Sequence, residues 1–189
     1  SLISPIARRV ELEVEFDSRL KLKNVYGYEP KFGRNSVRIP IDDMNSGLTQ
    51  LVMMKFSLNR YIASKQKIPV KIRLSYADIK TRKRITESRT AILHMTNQTR
   101  SLIVDSMVKK NFTIAELAQS LYEMGEAAKR KDFKNAERLL TRSVANTNRR
   151  YPNMEDKDIG FILKMVEDYR LNLRKLNGNR YGNGCPKCE

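Results

Sequence analysis

Cysteine is nearly missing from this sequence: Cys185 and Cys188 are the two it has, both inside the closing Gly184-Cys185-Pro186-Lys187-Cys188-Glu189. One C-x-x-C supplies half of a tetrahedral zinc site, and His94, the single histidine, is far away along the chain. A redox pair needs a helix to begin after its first cysteine, whereas here the sequence stops. The expectation is a flexible tail or the start of a truncated metal module, with no metal and no cofactor assigned. Histidine is as scarce, and His94 has no sequence partner that makes it an acid or base. Long apolar runs are missing too, since none approaches the roughly eighteen residues of a membrane span. Ser1 to Ile6 is too short for a secretory leader, and the missing initiator Met points to an excised fragment, which leaves room for an export signal or anchor outside it. Also lacking are a glycine-rich phosphate loop, a nucleophile beside a base, and a paired acid and base, so no catalytic residue is assigned.

Positive charge is plentiful. The net charge is +16, with 37 Lys and Arg against 21 Asp and Glu. It is spread along the chain: residues 1–96 carry 19 basic against 9 acidic residues, and residues 97–189 carry 18 against 12. Charge so diffuse promotes solubility and non-specific attraction to anions more than it marks a reader of nucleic acid. Two basic runs are the candidate anion contacts: Lys80, Arg82, Lys83 and Arg84 at a hairpin tip, and Lys129, Arg130 and Lys131 further on. No stacking aromatic flanks the first, so a solvated turn is the plainer reading of it.

The apolar residues change period partway along. Val10, Leu12, Val14 and Phe16 alternate with Glu11, Glu13 and Glu15, which predicts a half-buried strand with three solvated carboxylates. Asp17-Ser18-Arg19 turns the chain into a second strand through Leu20, Leu22 and Val25, together a predicted hairpin. Lys31 to Ser36 reads as loop, and Val37, Ile39 and Ile41 as a strand that Pro40 puts at an edge or an end. Asp42-Asp43-Met44-Asn45-Ser46-Gly47 reads as a turn rather than a hard-cation site, because adjacent residues supply too few oxygens. Leu48 to Leu58 is a nearly continuous apolar run and Asn59 to Gln66 a loop. Ile68, Val70, Ile72, Leu74 and Tyr76 alternate again, and Lys83 to Met95 closes the series with Ile85, Ala91, Leu93 and Met95 inward.

From about Thr96 the period is near 3.6. Leu102, Ile103, Met107, Ile114, Leu117, Leu121 and Met124 trace one face, in a single long helix or a short one followed by a helix that Thr113 and Glu116 cap. A second helix starts near Asp132, buries Phe133, Ala136, Leu139, Leu140 and Val144, and ends at Tyr151-Pro152. A third runs from about Glu155 to Leu176 with Ile159, Ile162, Leu163, Val166, Tyr169, Leu173 and Leu176 inward, and Asn177-Gly178 stops it. The predicted class is α+β: an antiparallel β-sandwich of six or seven strands over residues 1–96, three helices over 97–178, and a flexible tail over 179–189.

Val25-Tyr26-Gly27-Tyr28, then Ile39-Pro40-Ile41-Asp42-Asp43-Met44-Asn45-Ser46-Gly47 and the strands Leu51 to Leu58 and Val70 to Tyr76, resemble a known β-region. It is the one that follows the von Willebrand factor type A domain in bacterial calcium-activated-chloride-channel-like proteins. Gly125 to Leu140 is similar to the helical hairpin near the C-terminus of that family, a tetratricopeptide-like turn with Asp132, Phe133 and Ala136 at matching places. The Asp-x-Ser-x-Ser triplet with which the type A domain holds magnesium is not in this sequence, so no metal site carries over. The resemblance implies a companion module that holds or presents a type A domain in an envelope-associated protein.

Three function classes follow. The expected one is a non-catalytic protein-interaction or scaffolding module with a protein partner. The second is nucleic-acid or anionic-polymer binding through the basic runs and Arg149-Arg150. The third is catalysis by Glu116, Glu123 and Glu126 or by Asp42 and Asp43, for which no complementary acid, base or metal set is present.

Overall fold

The computed structural model describes residues 4–58, 67–95 and 105–181, with side-chain surroundings through 177. The chain divides into two compact units, Ser1–Ile103 and Val104–Glu189. The first holds antiparallel strands, the second three helices, so the class is α+β.

The strands are β1 (Pro5–Phe16), β2 (Leu20–Tyr26), β3 (Lys31–Phe32), β4 (Ser36–Ile41), β5 (Met44–Asn45), β6 (Met53–Leu58), β7 (Lys67–Asp78) and β8 (Arg84–His94). Eight strands among the described residues correct the expected six or seven. The additions are β3 and β5, two residues each, inside stretches whose turn-rich composition reads as loop. The apolar run from Leu48 is strand only from Met53, and Leu48 and Leu51 are exposed. The expected loop Asn59 to Gln66 lies outside the described residues.

One sheet runs β3-β4-β1-β7-β8, with β5 also on β1, and a second pairs β2 with β6. The predicted β1–β2 hairpin is therefore corrected: the Asp17–Arg19 turn carries the chain from one sheet to the other. Asp17 accepts from the Arg19 backbone N at 2.9 Å and from its guanidinium at 2.8 and 2.9 Å, which closes that turn. Alternation specifies which side chains go inward but not which strand lies alongside. Inward they go: Val14, Val37, Ile39, Ile68 and Val70 from the larger sheet are buried in one cluster with Leu20 and Val25 from the smaller. Phe16 meets Phe56 edge-on with ring centroids 5.2 Å apart. Burying one such side chain contributes about 1.5–3 kcal/mol. Near its start β1 shifts register between Arg8 and Glu11, where Arg9 has φ +52°, and this bulge lets Ala7 and Val10 both be buried.

The β7–β8 ladder fixes the geometry of the sheet's long edge. Asp78 N–H donates to Lys83 O at 2.9 Å, and the register Ala77↔Arg84 to Lys67↔His94 continues without a shift. Antiparallel pairs alternate, so Ile85, Glu87, Arg89, Ala91 and Leu93 exchange backbone hydrogen bonds with β7. Thr86, Ser88, Thr90 and Ile92 turn theirs outward. Pro69, opposite Ile92, then aims its missing donor at the β1 side, past the last β1 pair at Val70. Of the inward candidates, Ile85 on β8 and Met95 just past its end are half-buried, while Ala91 and Leu93 are exposed.

The helices are α1 (Ser106–Lys129), α2 (Phe133–Arg150) and α3 (Lys157–Tyr181). Asp105 caps α1, its Oδ1 accepting from Val108 N at 2.9 Å. Thr113 and Glu116 cap nothing: α1 is continuous through them, and Thr113 Oγ1 donates to Lys109 O at 2.9 Å within the helix. Lys131 takes φ +60° at the turn, and Asp132 caps α2 by accepting from Asn135 N at 3.2 Å. Tyr151-Pro152 ends α2 as expected. Leu117, Ala127, Ala136, Leu140, Val144, Leu163, Val166 and Leu173 form the core, and Leu121, Met124, Phe133, Leu139 and Ile162 pack around it. Met107, Tyr169 and Leu176, expected inward, are exposed. Leu102 and Ile103 lie outside the described residues. Asn177-Gly178 does not stop α3, which continues to Tyr181, because one glycine costs a helix only about 1 kcal/mol. Cys185 and Cys188 lie outside the described residues, as does the rest of the expected tail from 182.

Candidate functional site

On the outer face of the larger sheet, register sets Glu13 between Arg38 of β4 and Arg73 of β7. Arg38 Nε donates to Glu13 Oε1 at 2.8 Å, Arg73 Nη1 donates to Glu13 Oε2, and Arg73 Nη2 reaches Glu15 Oε1 at 3.4 Å. The hydrogen bond from Arg38 holds the Glu13 carboxyl below its ordinary value of 4.5, with Arg73 adding to the effect. Glu13 is thus no freely solvated carboxylate: its side chain is 14% exposed. Each oxygen accepts from a guanidinium group, so the row ties three strands together.

The carboxylates weighed for catalysis are dispersed in the same way. Glu116 pairs with Arg150 at 2.6 Å, Glu126 with Lys129 at 2.6 Å, and Glu123 accepts from Gln119 at 2.9 Å. Asp43 faces Arg8 at 3.5 Å. Among the described residues no three His, Cys, Asp or Glu side chains gather as a metal site. His94 is exposed at the end of β8, opposite Lys67.

The two predicted anion contacts fall in different compact units. Lys80, Arg82, Lys83 and Arg84 are exposed around the β7–β8 turn, where Arg82 has φ +57° and Asp78 accepts from Thr81 N at 2.6 Å and Thr81 Oγ1 at 2.7 Å. Lys129, Arg130 and Lys131 lie at the α1–α2 turn, with Lys129 already engaged by Glu126.

Several features carry no flag in the two basic runs. Lys110 of α1 grips Asp156 at 3.1 Å and Asp158 at 2.6 Å at the start of α3; Asp158 first, then Asp156, raises the lysine, and Lys110 lowers Asp156. Arg174 Nε donates to Glu137 Oε1 at 2.6 Å and holds that carboxyl down, locking α3 to α2. Lys134, Arg138, Arg142 and Arg149 line the exposed side of α2, and Lys134, Arg142 and Arg149 have no ion pair among the described residues. Phe161, Met165, Tyr169 and Leu176 form an exposed stripe on α3, with Phe161 72% and Tyr169 46% exposed. Their spacing of four, four and seven residues was available in the sequence, but it runs alongside the buried Ile159, Leu163, Val166 and Leu173, and period alone does not separate two adjacent stripes.

The described residues define an α+β chain of antiparallel sheets followed by three helices. No protein-family model and no curated protein matches it. Among solved structures the chain is similar to the ArnB paralog VWA2 from Sulfolobus acidocaldarius, at 13% sequence identity and a TM-score of 0.40, over 89% of this chain and 40% of that one. Likeness at that level defines neither a family nor an activity for this chain.

Proposed function

We propose that this chain is a non-catalytic protein-interaction module, built as a β-sandwich joined to a tetratricopeptide-like hairpin, and that its partner is a von Willebrand factor type A domain. The observation that supports it best is the stripe of Phe161, Met165, Tyr169 and Leu176 on α3, which the helical unit's own core leaves exposed. Contiguous apolar side chains with a large aromatic at the end are the usual anchors of protein interfaces. The dispersal of Glu116, Glu123, Glu126 and Asp43 into separate hydrogen bonds and ion pairs favours this reading over an enzyme. The identity of the partner rests on the sequence resemblance, which places such modules beside a type A domain.

The test has two stages. The full-length gene must encode a domain bearing Asp-x-Ser-x-Ser, and that domain, purified, must bind this chain in a calorimetric titration. Phe161→Asp is expected to weaken binding at least about tenfold, since anchor residues contribute 2 kcal/mol or more. No heat of binding with the unmodified chain would overturn the proposal.

One observation favours the second reading, anionic-polymer binding: Lys134, Arg142 and Arg149, which have no ion pair among the described residues, share one side of α2. Phosphate contacts give affinity that falls steeply with salt. Fluorescence anisotropy with single-stranded oligonucleotides decides it, an affinity that drops by decades from low to moderate salt supporting the reading and no binding at low salt removing it.

A further inference from the structure

The two edges of the larger sheet are treated unequally. At one end stands β3, only two residues long. At the other stands β8, eleven residues without proline, glycine or a bulge, and exposed at every position but Ile85. Among the described residues nothing pairs with its outer edge. A long regular edge with free donors and acceptors is a template for another strand, which proteins ordinarily blunt with proline, bulges or shortening.

The residues of β8 identify that strand. Written outward from Ser88, the sequence is its own complement: Glu87 on one side and Arg89 on the other, then Thr86 and Thr90, then Ile85 and Ala91. Two copies of β8 laid antiparallel with Ser88 opposite Ser88 would set Glu87 of each against Arg89 of the other. The two threonine positions would face each other, and so would Ile85 and Ala91. The backbone agrees. Thr86, Ser88, Thr90 and Ile92 point their N–H and C=O groups away from β7, so they are the residues that would form the hydrogen-bonded pairs. Glu87 and Arg89 then fall in the non-hydrogen-bonded pairs, where opposed side chains approach most closely. Charge also selects this register. Moving the two-fold axis by one residue would bring Glu87 against Glu87, or Arg89 against Arg89. Neither group is spent elsewhere: both are exposed, Arg89 has no ion pair among the described residues, and Glu87 has only the Tyr76 hydroxyl, at 3.1 Å on one oxygen.

We infer that β8 is a self-association strand: two copies of this chain pair through antiparallel β8 edges about Ser88, continuing the sheet across a two-fold axis. The surface is isologous, as a two-fold dimer requires, and closed, because each copy uses the same edge in the pairing.

Sedimentation velocity on the full chain tests it. A concentration-dependent monomer–dimer equilibrium is expected. Glu87→Arg and Arg89→Glu each convert two attractive pairs into two repulsive ones and should raise the dissociation constant about tenfold or more. Mixed in equal amounts, the two variants restore complementarity at both pairs, so they should form a heterodimer near the unmodified affinity, and E87R/R89E together should recover the homodimer. Ser88→Pro removes an outward donor while leaving the β7 ladder intact, and should abolish association with an unchanged far-UV spectrum. A chain that stays monomeric at the highest attainable concentration overturns the inference. So does a dimer that the single substitutions leave untouched, or a pair of weakened variants that fail to rescue each other.

Discussion

Strand β1 and helix α3 both carry apolar side chains on one side and charge on another, yet they deal with surplus hydrophobicity in opposite ways. A strand has two faces and no more. Past its bulge β1 sends Leu12, Val14 and Phe16 into one core and Glu11, Glu13 and Glu15 out of it, and only Ile6, ahead of the bulge, is an apolar side chain left exposed. A helix has a circumference. The apolar arc of α3 is wider than the strip that α1 and α2 cover, so Ile159, Leu163, Val166 and Leu173 are buried while Phe161, Met165, Tyr169 and Leu176 remain outside. In the β unit the unsatisfied chemistry collects instead at a backbone edge, β8. The contrast teaches where to look for contacts in each: along an edge in a sheet, along a second stripe on a helix.

The largest effects should come where the two units are alike, in their fully buried aliphatic side chains. Ile39→Ala in β4 and Leu140→Ala in α2 each empty a site that is 0% exposed, and each is expected to cost about 2–5 kcal/mol. Denaturant unfolding followed by far-UV circular dichroism measures both. A loss below about 1 kcal/mol at either site would show that its unit repacks freely, and would break the likeness of the two cores. Next is a cost only helices incur, that of free end amides. Asp105→Ala removes the acceptor for Val108 N and should cost about 1 kcal/mol in the same assay.

Much of this was legible in the chain. The change of period near Thr96 separates strands from helices, the inward residues of β1, β4 and β7 follow from alternation, and the starts of α2 and α3 follow from Asp132 and the Tyr151-Pro152 stop. Pairing was not legible: β1 and β2 look like a hairpin, because a turn of Asp17-Ser18-Arg19 fits both a hairpin and a crossing between sheets. Nor were the short strands β3 and β5, held by neighbours rather than by local composition. Thr113 and Glu116 match a capping box, but the same spacing occurs inside a helix, where threonine bonds back to a carbonyl and glutamate is free to reach Arg150. The basic runs Lys80 to Arg84 and Lys129 to Lys131 could be found as charge, and the change of period between them already sets them in separate units, whereas the pairing of Lys129 with Glu126 shows only in the structure.

A smaller effect sharpens the contrast through pH. The Glu13 carboxyl is depressed chiefly by its hydrogen bond from Arg38, so folding favours its ionised form. The stability it contributes is present above the ordinary value of 4.5 and is lost as pH falls from there through the lower folded value. Glu13→Gln should therefore be less stable than the unmodified chain near neutral pH and converge with it in acid, as read by the unfolding midpoint in urea across that range. A constant difference at every pH would mean that the clamp acts through packing alone.

The smallest expected change is the one that best separates a contact surface from a core. Phe161 and Leu163 are two residues apart on α3, and the first is 72% exposed, the second 7%. Phe161→Ser removes an aromatic ring that the helical unit does not pack, and should shift stability by no more than about 0.5 kcal/mol. Leu163→Ala, a milder change in chemistry, should cost about 2–5 kcal/mol. The two variants together decide what the outer stripe is for. If Phe161→Ser destabilises the isolated chain as Leu163→Ala does, the stripe belongs to the fold and is no free surface. If only the buried position matters, α3 maintains an aromatic side chain in water that contributes nothing to its own unit, which is the physical signature of a residue kept for a partner.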